Sequence, residues 1–277
     1  MHTFFPFLLF PFFLFTALRA DNWKGNEYAK NSESQKSSAG DFLQDIQLKG
    51  NETILDVGCG DGKITSSMAA KINEGFAIGL DISPSMIEHA KKTFADVQNL
   101  EFEVGDAAAI SYKEKFDLIT SFTVMQWVLK QEQALRAFHQ ALKPEGQILI
   151  QMPTGLPDAM KEAVNKTIND EKWKSYFVGF NPPWRFYGKE EYRALLEKTG
   201  FVQNHLGLVT KHEKFPSRSA FQGFIRQWFP YLRPLPENLK DAFITDLVDH
   251  YIKLLPADNE GRVSFIVERL QVISKKI

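Results

Sequence analysis

A glycine-rich turn that follows an apolar run is the feature that most constrains the fold of this chain. Residues 53–57, Thr-Ile-Leu-Asp-Val, predict a short buried strand, and Gly58, Gly60 and Gly62 follow at every second position. Glycine adopts positive φ without strain and lets a ligand approach the backbone closely. The pattern therefore predicts a buried strand that runs into a tight, ligand-binding turn.

A second acidic residue stands at an informative distance from this turn. Asp81 ends the apolar run at residues 76–80, about 25 residues after Asp56. In nucleotide-binding α/β units, an acid about 20 residues beyond the glycine turn hydrogen-bonds a ribose. The turn and this acid together predict a cofactor that contains a nucleoside, whereas the glycines alone would also suit a structural turn.

Apolar runs and amphipathic stretches alternate through the first half of the chain. Strands are predicted at residues 53–57, 76–81, 100–104, 116–122 and 147–152, helices at 63–72, 84–94 and 131–142, and a turn at 143–146. This alternation indicates an α/β fold with a parallel, doubly wound sheet covered on both faces. Because ligands bind such sheets beyond the carboxyl ends of the strands, the loops at Asp56, Asp81, Asp106 and residues 121–127 are expected to converge.

The second half of the chain has weaker periodicity. Helices are predicted at residues 158–177, 190–198, 218–229 and 237–255, a final strand at 263–274, and an N-terminal helix at 34–47. The stretch from Trp173 to Phe186 is rich in Phe, Trp and Tyr, which predicts the inner face of a lid over a substrate pocket. Such a lid favours an apolar or amphipathic substrate over a tricarboxylate.

The composition excludes several classes of function. The formal net charge is -1 and the charges are scattered, so no surface for nucleic acid is indicated. Cys59 is the single cysteine, which leaves no disulfide framework and no multi-cysteine metal site within one chain. Its place inside the glycine turn is typical of a small residue packed under a ligand rather than of a nucleophile. No metal is predicted, and the oligomeric state is left open.

Residues 1–20 form an apolar leader that resembles the core of a secretory signal, with Ala20 as a candidate cleavage position. No Lys or Arg precedes the apolar run, and Leu18 is not the small residue expected two places before the cut. A start site assigned too early is a third interpretation. A cytoplasmic location is expected for the remainder, because one cysteine gives no sign of an oxidising compartment. Secretion or membrane association through a retained leader is the alternative.

The spacing of the turn separates two kinds of cofactor. Dinucleotide-binding turns follow Gly-x-Gly-x-x-Gly, whereas the third glycine here comes one residue early. Asp56 would repel a pyrophosphate and suits an ammonium group, which S-adenosylmethionine carries without any phosphate. Asp81 is expected to bind the ribose hydroxyls and Asp106 the adenine amino group. The other predicted cofactor contacts are Gly58, Cys59 and Gly60 in the turn, Ile82 and Met86 around the adenine ring, Ala107 beside it, and Ser121.

Five motifs follow one another within residues 50–152: Leu-Asp-Val-Gly-Cys-Gly-Asp-Gly, Gly-Leu-Asp-Ile-Ser-Pro-Ser-Met-Ile, Gly-Asp-Ala, Phe-Asp-Leu-Ile-Thr-Ser-Phe and Leu-Lys-Pro-Glu-Gly. Together they resemble the class I S-adenosylmethionine-dependent methyltransferases. The resemblance implies a Rossmann-like fold, with a doubly wound, mostly parallel seven-stranded sheet and helical lid insertions after strand five. It also implies an N-terminal arm and helix at 21–49, a cofactor-binding core at 50–152, and a substrate lid with the C-terminal completion of the sheet at 153–277.

Within that superfamily the chain resembles two groups that methylate carboxyl groups, the trans-aconitate and the juvenile hormone acid methyltransferases. The arm at residues 28–35 and the segment Met125-Gln126-Trp127-Val128 resemble both groups, and the segments 232–234 and 260–262 resemble the trans-aconitate group. The resemblance to the hormone-acid group implies that Gln35 donates its amide to the substrate carboxylate. It also implies that Trp127 donates its indole N–H or walls the site, with Gln126 as a further substrate contact.

The predicted reaction is methyl transfer to the carboxylate of a small molecule. A carboxylate is already ionised at neutral pH, so no general base and no catalytic residue is predicted beyond those that position the substrate. Arg185 and Tyr187 are predicted, from residue type alone, as further anion contacts. The alternatives are methylation of a carrier-bound acyl group, a hydroxyl or a carbon centre, and a non-catalytic binding module of the same fold.

Overall fold

The computed structural model describes residue 40, residues 42–43 and residues 46–277. The apolar leader, the arm with Gln35 and most of the helix predicted at 34–47 lie outside these described residues. No helix within them is both long and apolar enough to cross a membrane.

One seven-stranded sheet organises the described chain. Its strands are β1 (Thr53–Val57), β2 (Phe76–Asp81), β3 (Leu100–Val104), β4 (Phe116–Phe122), β5 (Leu142–Pro153), β6 (Phe201–Phe215) and β7 (Val263–Lys276). The order across the sheet is β3-β2-β1-β4-β5-β7-β6. The first five strands pair in parallel, and β7 pairs antiparallel with both β5 and β6. The predicted doubly wound, mostly parallel seven-stranded fold is therefore confirmed.

Seven helices are described around this sheet. They are α1 (Lys63–Ala69), α2 (Pro84–Thr93), α3 (Gln131–Ala141), α4 (Asp158–Ile168), α5 (Lys189–Lys198), α6 (Arg218–Trp228) and α7 (Glu237–Leu254). Short 3-10 turns lie at Ala107–Ala109, Met125–Trp127, Lys174–Phe177 and Pro230–Leu232. An α-helix connects β1 to β2, β2 to β3 and β4 to β5, whereas the connection from β3 to β4 contains only the 3-10 turn Ala107–Ala109.

Three features of the second half differ from the sequence prediction. The helix predicted at 158–177 ends at Ile168, and a separate 3-10 turn covers Lys174–Phe177. The predicted turn at 143–146 lies within β5, because Leu142 already pairs with Phe116 before the register shifts. The strand β6 was missed by the sequence reading, since it is largely exposed and lacks a continuous apolar run.

Buried residues form clusters on both faces of the sheet and a third among the C-terminal helices. The third cluster, which we call the helical cluster, joins α4, α6 and α7 to the first half of β7 through residues such as Phe221, Leu247 and Phe265. The β6–β7 hairpin extends past the end of β5, because only Arg269 to Lys275 of β7 pair with that strand. The helical cluster therefore stands beyond the carboxyl edge of the parallel strands.

Candidate active site

The glycine turn after β1 has the backbone conformation that the sequence predicts. Gly58 and Gly62 have φ of 77° and 81°, in the left-handed region. A β-carbon at Gly58 would lie 2.2 Å from Val124 Cγ2, and one at Gly62 would lie 2.6 Å from Phe102 Cζ. Both positions require glycine for conformation and for space. The Val124 contact also places the turn against the loop that follows β4.

Asp56 and Ser121 lie beneath this turn. Asp56 is buried, and its carboxylate accepts hydrogen bonds from Thr65 Oγ1 at 2.6 Å and Thr120 Oγ1 at 2.9 Å. Burial raises the pKa of Asp56 to about 6, against the lowering effect of the two hydroxyls. The Ser121 hydroxyl donates to the Val57 carbonyl at 2.9 Å. Both residues hold the turn in place, and their direct contact with a cofactor stays a prediction.

Asp81 links the glycine turn to the start of α2. Its Oδ2 accepts the Gly60 N–H at 3.0 Å, and its Oδ1 accepts the Ser83 N–H at 2.8 Å. Burial raises the pKa of this carboxyl group, and the backbone donors partly oppose that shift. Ser83 caps α2 by accepting the Met86 N–H at 3.4 Å, as the Ser-Pro pair predicts.

Both acidic and apolar side chains lie along the edge beyond β2 and β3. Ile82 and Val104 are 46% and 54% exposed, which is unusual for apolar side chains next to a buried sheet. Asp106 is exposed, and its Oδ1 accepts the Ala108 N–H at 2.9 Å. These groups offer carboxylates to hydroxyl and amino groups and apolar surface to a ring. The arrangement fits the adenosine of S-adenosylmethionine.

The remaining predicted cofactor contacts are less accessible. Met86 is 2% exposed and Ala107 is 8% exposed, so both support the edge from below. Cys59 is buried in the turn, and burial together with the nearby Asp81 and Asp56 carboxylates raises the pKa of its thiol. A thiol that stays protonated is a poor nucleophile. This agrees with the packing role predicted for Cys59.

An aromatic cavity lies beside the glycine turn, between the carboxyl ends of β4 and β5 and the helical cluster. Its volume is about 80 Å³, which is several times the space of about 10–15 Å³ that one water needs. The lining combines Trp127, Trp184, Phe186, Phe224, Trp228, Phe265 and Val267 with Thr123, Gln126, Pro153, Gly155, Leu156, Glu213 and Arg269. The predicted aromatic lid contributes Trp184 and Phe186.

A buried ion pair in this cavity was not predicted from the sequence. Arg269 Nη2 lies 3.2 Å from Glu213 Oε1, and the two side chains are 6% and 14% exposed. Arg269 Nη1 donates to Thr123 Oγ1 at 2.9 Å. The partners are 56 positions apart in the sequence, so no local pattern indicated their pairing. Only the β6–β7 register brings them together.

The predicted substrate residues divide into three groups. Gln126 and Trp127 line the cavity, and Gln126 Nε2 donates to the Thr123 carbonyl at 2.9 Å. Arg185 and Tyr187 do not line it, because the exposed Arg185 pairs with Glu191 at 3.2 Å and stacks on the buried Tyr187 ring. Their predicted anion contact therefore gains no support from this arrangement. Gln35 lies outside the described residues.

Metal ligands are not clustered in the part of the chain that the structure describes. No group of three or more His, Cys, Asp or Glu side chains there is arranged to hold a metal ion.

Comparison with known proteins points in one direction. A family model described as "Methyltransferase domain" matches residues 48–200. The chain is 28% identical to trans-aconitate 2-methyltransferase of Methylobacterium radiotolerans over 92% of this chain and 98% of that protein. It is 26% identical to juvenile hormone acid O-methyltransferase of Drosophila melanogaster over 77% of this chain and 76% of that protein.

Solved structures show the same architecture. One is phosphoethanolamine N-methyltransferase 2 of Haemonchus contortus, in complex with phosphomonomethylethanolamine and S-adenosylhomocysteine. It superposes with a TM-score of 0.57 at 16% sequence identity, and the match covers 91% of this chain and 56% of that one. At this identity the similarity concerns the fold.

Proposed function

Because this chain belongs to the class I S-adenosylmethionine-dependent methyltransferases, we propose that it methylates the carboxyl group of a small molecule with an apolar body. Two relatives named for carboxylic acid substrates, trans-aconitate and juvenile hormone acid, support the choice of a carboxyl group. The aromatic lining of the cavity supports an apolar body.

The residues beyond β1, β2 and β3 would hold the cofactor, which supplies an electrophilic methyl group on a sulfonium. Asp81 accepts the ribose hydroxyls, Asp106 accepts from the adenine amino group, and Ile82 covers the ring. Asp56 acts from beneath by holding the glycine turn through Thr65 and Thr120. No phosphate has to be accommodated, which agrees with a turn that is surrounded by carboxylates.

The chemistry of the cavity lining is the observation that supports a carboxylate nucleophile most directly. Within the described residues, the lining contains no His, Lys or Cys, and its one acid, Glu213, is paired with Arg269. Glu213 Oε1 is occupied by the Arg269 guanidinium, and Glu213 lies on β6, four strands from β1 and its glycine turn. A substrate hydroxyl or carbon acid would therefore lack a partner to take its proton, whereas a carboxylate has none to lose.

Positioning of the substrate carboxylate and exclusion of water from the cavity then account for the rate of methyl transfer. The aromatic walls lower the local polarity, which favours a transition state in which opposite charges on nucleophile and donor are dispersed. Trp127 lies in the cavity wall next to the loop that contacts Gly58, so it is placed to orient the nucleophile. Gln35 is the second positioning residue that the resemblance to the hormone-acid group implies.

The test is methyl transfer from S-adenosylmethionine labelled in its methyl group to a panel of monocarboxylic acids. An ester releases labelled methanol on mild alkaline hydrolysis, whereas an ether or a C-methyl product retains the label. We expect alkali-labile product, and a Trp127→Phe variant with kcat/KM lower by about tenfold or more, since it loses one N–H donor. The calorimetric affinity for S-adenosylmethionine should remain unchanged in that variant. Alkali-stable product would contradict carboxyl methylation.

A further inference from the structure

The buried Arg269–Glu213 pair stands inside an otherwise apolar substrate cavity. Desolvating two charges is costly, and a hydrophobic pair of similar size is often at least as stable. Stability alone therefore gives no reason for this pair. Arg269 also donates to Thr123, a β-branched residue with φ of 59°, which is a rare conformation that concentrates at ligand sites.

Among the cavity-lining side chains other than Arg269, three polar atoms have no hydrogen-bond partner in the described chain. They are Glu213 Oε2, Gln126 Oε1 and the indole Nε1 of Trp228, and all three are buried. Leaving such a group unsatisfied costs about 1–3 kcal/mol, so each favours a ligand that completes it. Two of the atoms accept hydrogen bonds, and the third donates one.

Glu213 and Trp228 both neighbour Phe265. Glu213 pairs with Phe265 in the β6–β7 register, and the ring centroids of Trp228 and Phe265 are 6.4 Å apart. An acceptor and a donor without partners thus both neighbour Phe265 in the lining of the same cavity. A hydroxyl group fits both, because it donates one hydrogen bond and accepts others.

We propose that Glu213 and Trp228, with Arg269 behind them, form a subsite that binds a hydroxyl group on the substrate, distant from the carboxyl group that is methylated. The inference rests on the proposed function and specifies its substrate as a hydroxylated monocarboxylic acid. We call this group of three residues the hydroxyl subsite.

The sheet separates the hydroxyl subsite from the methyl donor. In the strand order, β6 lies four positions from β1, whose glycine turn faces the cofactor. At about 4.8 Å per strand this is roughly 15–20 Å of sheet, part of which the side chains span. The substrate must therefore reach from the β1–β4 edge to β6 through the aromatic section of the cavity.

Charge decides against a second carboxylate at this subsite. Arg269 already uses Nη1 for Thr123 and Nη2 for Glu213, and the Arg269–Glu213 pair is neutral. A further anion would be repelled by the Glu213 carboxylate and would add an uncompensated charge to this buried region. A neutral hydroxyl adds no charge to a buried region, so the subsite selects against dicarboxylic and tricarboxylic acids.

The test compares ligands by calorimetric titration into the full chain saturated with S-adenosylhomocysteine. The probes are decanoic acid, its ω-hydroxy derivative and decanedioic acid, together with the three corresponding six-carbon acids. We expect the ω-hydroxy acid of the length that fits to bind about tenfold or more tightly than its parent acid and its diacid, because a site built around a hydroxyl rejects analogues that lack it.

Each outcome distinguishes the subsite from the proposed reaction. Equal affinities of the hydroxy acid and the parent acid, a preference for the diacid, or no binding of any probe would overturn the hydroxyl subsite. If the parent acid and the hydroxy acid bind with equal affinity and the parent acid is methylated, the hydroxyl subsite is overturned but carboxyl methylation is supported. A hydroxyl preference without any methyl transfer would overturn carboxyl methylation and leave the subsite in place.

Two variants test the residues of the subsite. For each variant the affinities for the different acids are compared with one another, so a loss of stability does not obscure the result. Glu213→Gln replaces the charged acceptor with a neutral amide and leaves Arg269 uncompensated, so the hydroxyl preference should fall below about threefold and the diacid should gain about tenfold. Trp228→Phe should reduce the hydroxyl preference without favouring the diacid.

Glu268→Gln, an exposed change on β7 beside Thr154, is the matched control and should behave as the wild type. A hydroxyl preference unchanged in both test variants would overturn the assignment.

Discussion

Val124 occupies the space that a β-carbon at position 58 would need. Its two methyl groups lie 2.2 and 2.6 Å from that point. The glycine therefore does two things at once, because it adopts a positive φ and it lets the loop after β4 close onto the turn. At the scale of single residues, this contact joins the cofactor edge to the substrate cavity.

A Gly58→Ala variant should lose stability and cofactor affinity together. Left-handed strain costs about 1–3 kcal/mol, and the clash with Val124 adds to it. The matched control is Gly179→Ala, since Gly179 has φ of 70° and nothing within 4 Å of its β-carbon position. Denaturant unfolding should show a larger loss for Gly58→Ala than for the control, and Val124→Ala should restore part of the difference. Equal losses in the two variants would contradict the steric argument.

The titration of Asp56 should appear in the pH dependence of stability. Its pKa in the folded protein is about 6, above the ordinary value of 3.8, so the folded protein keeps this proton at pH values where the unfolded chain has released it. The contribution of this group to the free energy of unfolding is thus fully present below pH 4 and falls as pH rises through 6, by about 3 kcal/mol.

An Asp56→Asn variant is neutral at every pH and should lack this fall. Unfolding curves of both proteins across about pH 4 to 7 measure the difference directly. The wild type should lose about 3 kcal/mol relative to the variant over that range. Parallel stability profiles would mean that Asp56 is not shifted by its burial.

The strand, the glycine turn and its positive φ angles could be predicted from the sequence because their chemistry is local. Asp56, Gly58 and Asp81 follow apolar runs whose meaning is clear from a few neighbouring letters. Glu213 and Arg269 could not be assigned, since their pairing depends on the register of two long antiparallel strands. Arg185 and Tyr187 were chosen by residue type alone, and the fold turns the exposed Arg185 towards Glu191 instead.

At the scale of elements, α2 connects the cofactor edge to the sheet. Ser83 caps the helix, its neighbour Ile82 is exposed at the edge, and Asp81 accepts the Ser83 N–H. The cap therefore fixes both the helix and the acid expected to bind the ribose.

Removing the cap should weaken both the folding of α2 and the binding of S-adenosylmethionine. Ser83→Ala should lower the free energy of unfolding by about 1 kcal/mol, as the loss of an N-cap hydroxyl usually does. It should also weaken S-adenosylmethionine binding, because the segment from Asp81 to Met86 is less well ordered. Ser83→Thr keeps the hydroxyl and serves as the control, so it should retain most of the stability and affinity. Calorimetry on the three proteins measures the stability and the affinity for S-adenosylmethionine. Unchanged values in Ser83→Ala would contradict this role of the cap.

The strands β1 to β4 were predicted with the bounds that the structure shows, whereas β5 begins five residues earlier than predicted and the elements of the second half were less accurate. The strands β1, β2 and β4 are short and largely buried, which gives a strong pattern. The strand β6 has only alternating partial burial at the sheet edge, so its sequence lacks that pattern. The helix predicted to reach residue 177 ends at Ile168, since Asn169 and Asp170 follow in capping and turn positions.

At the scale of the whole molecule, two substructures meet at one edge of the sheet. The parallel strands present the glycine turn and the acids, and the helical cluster with the β6–β7 hairpin closes the aromatic cavity beside them. The first half of the chain thus provides the features of the cofactor site, and the second half provides most of the substrate cavity. This division explains why the family was evident from the sequence, since the cofactor motifs all lie in the first half of the fold.

The measurement that tests the central claim most directly is calorimetric titration of S-adenosylmethionine into the purified protein and its Asp81→Ala variant. Asp96→Ala, an exposed acid beyond α2, is the control. We predict binding by the wild type and the control, and a loss of about tenfold or more in the Asp81 variant, because it removes the acceptor for the ribose hydroxyls. Well-folded wild-type protein that does not bind S-adenosylmethionine, or an Asp81→Ala variant that binds it equally well, would contradict this account of the site.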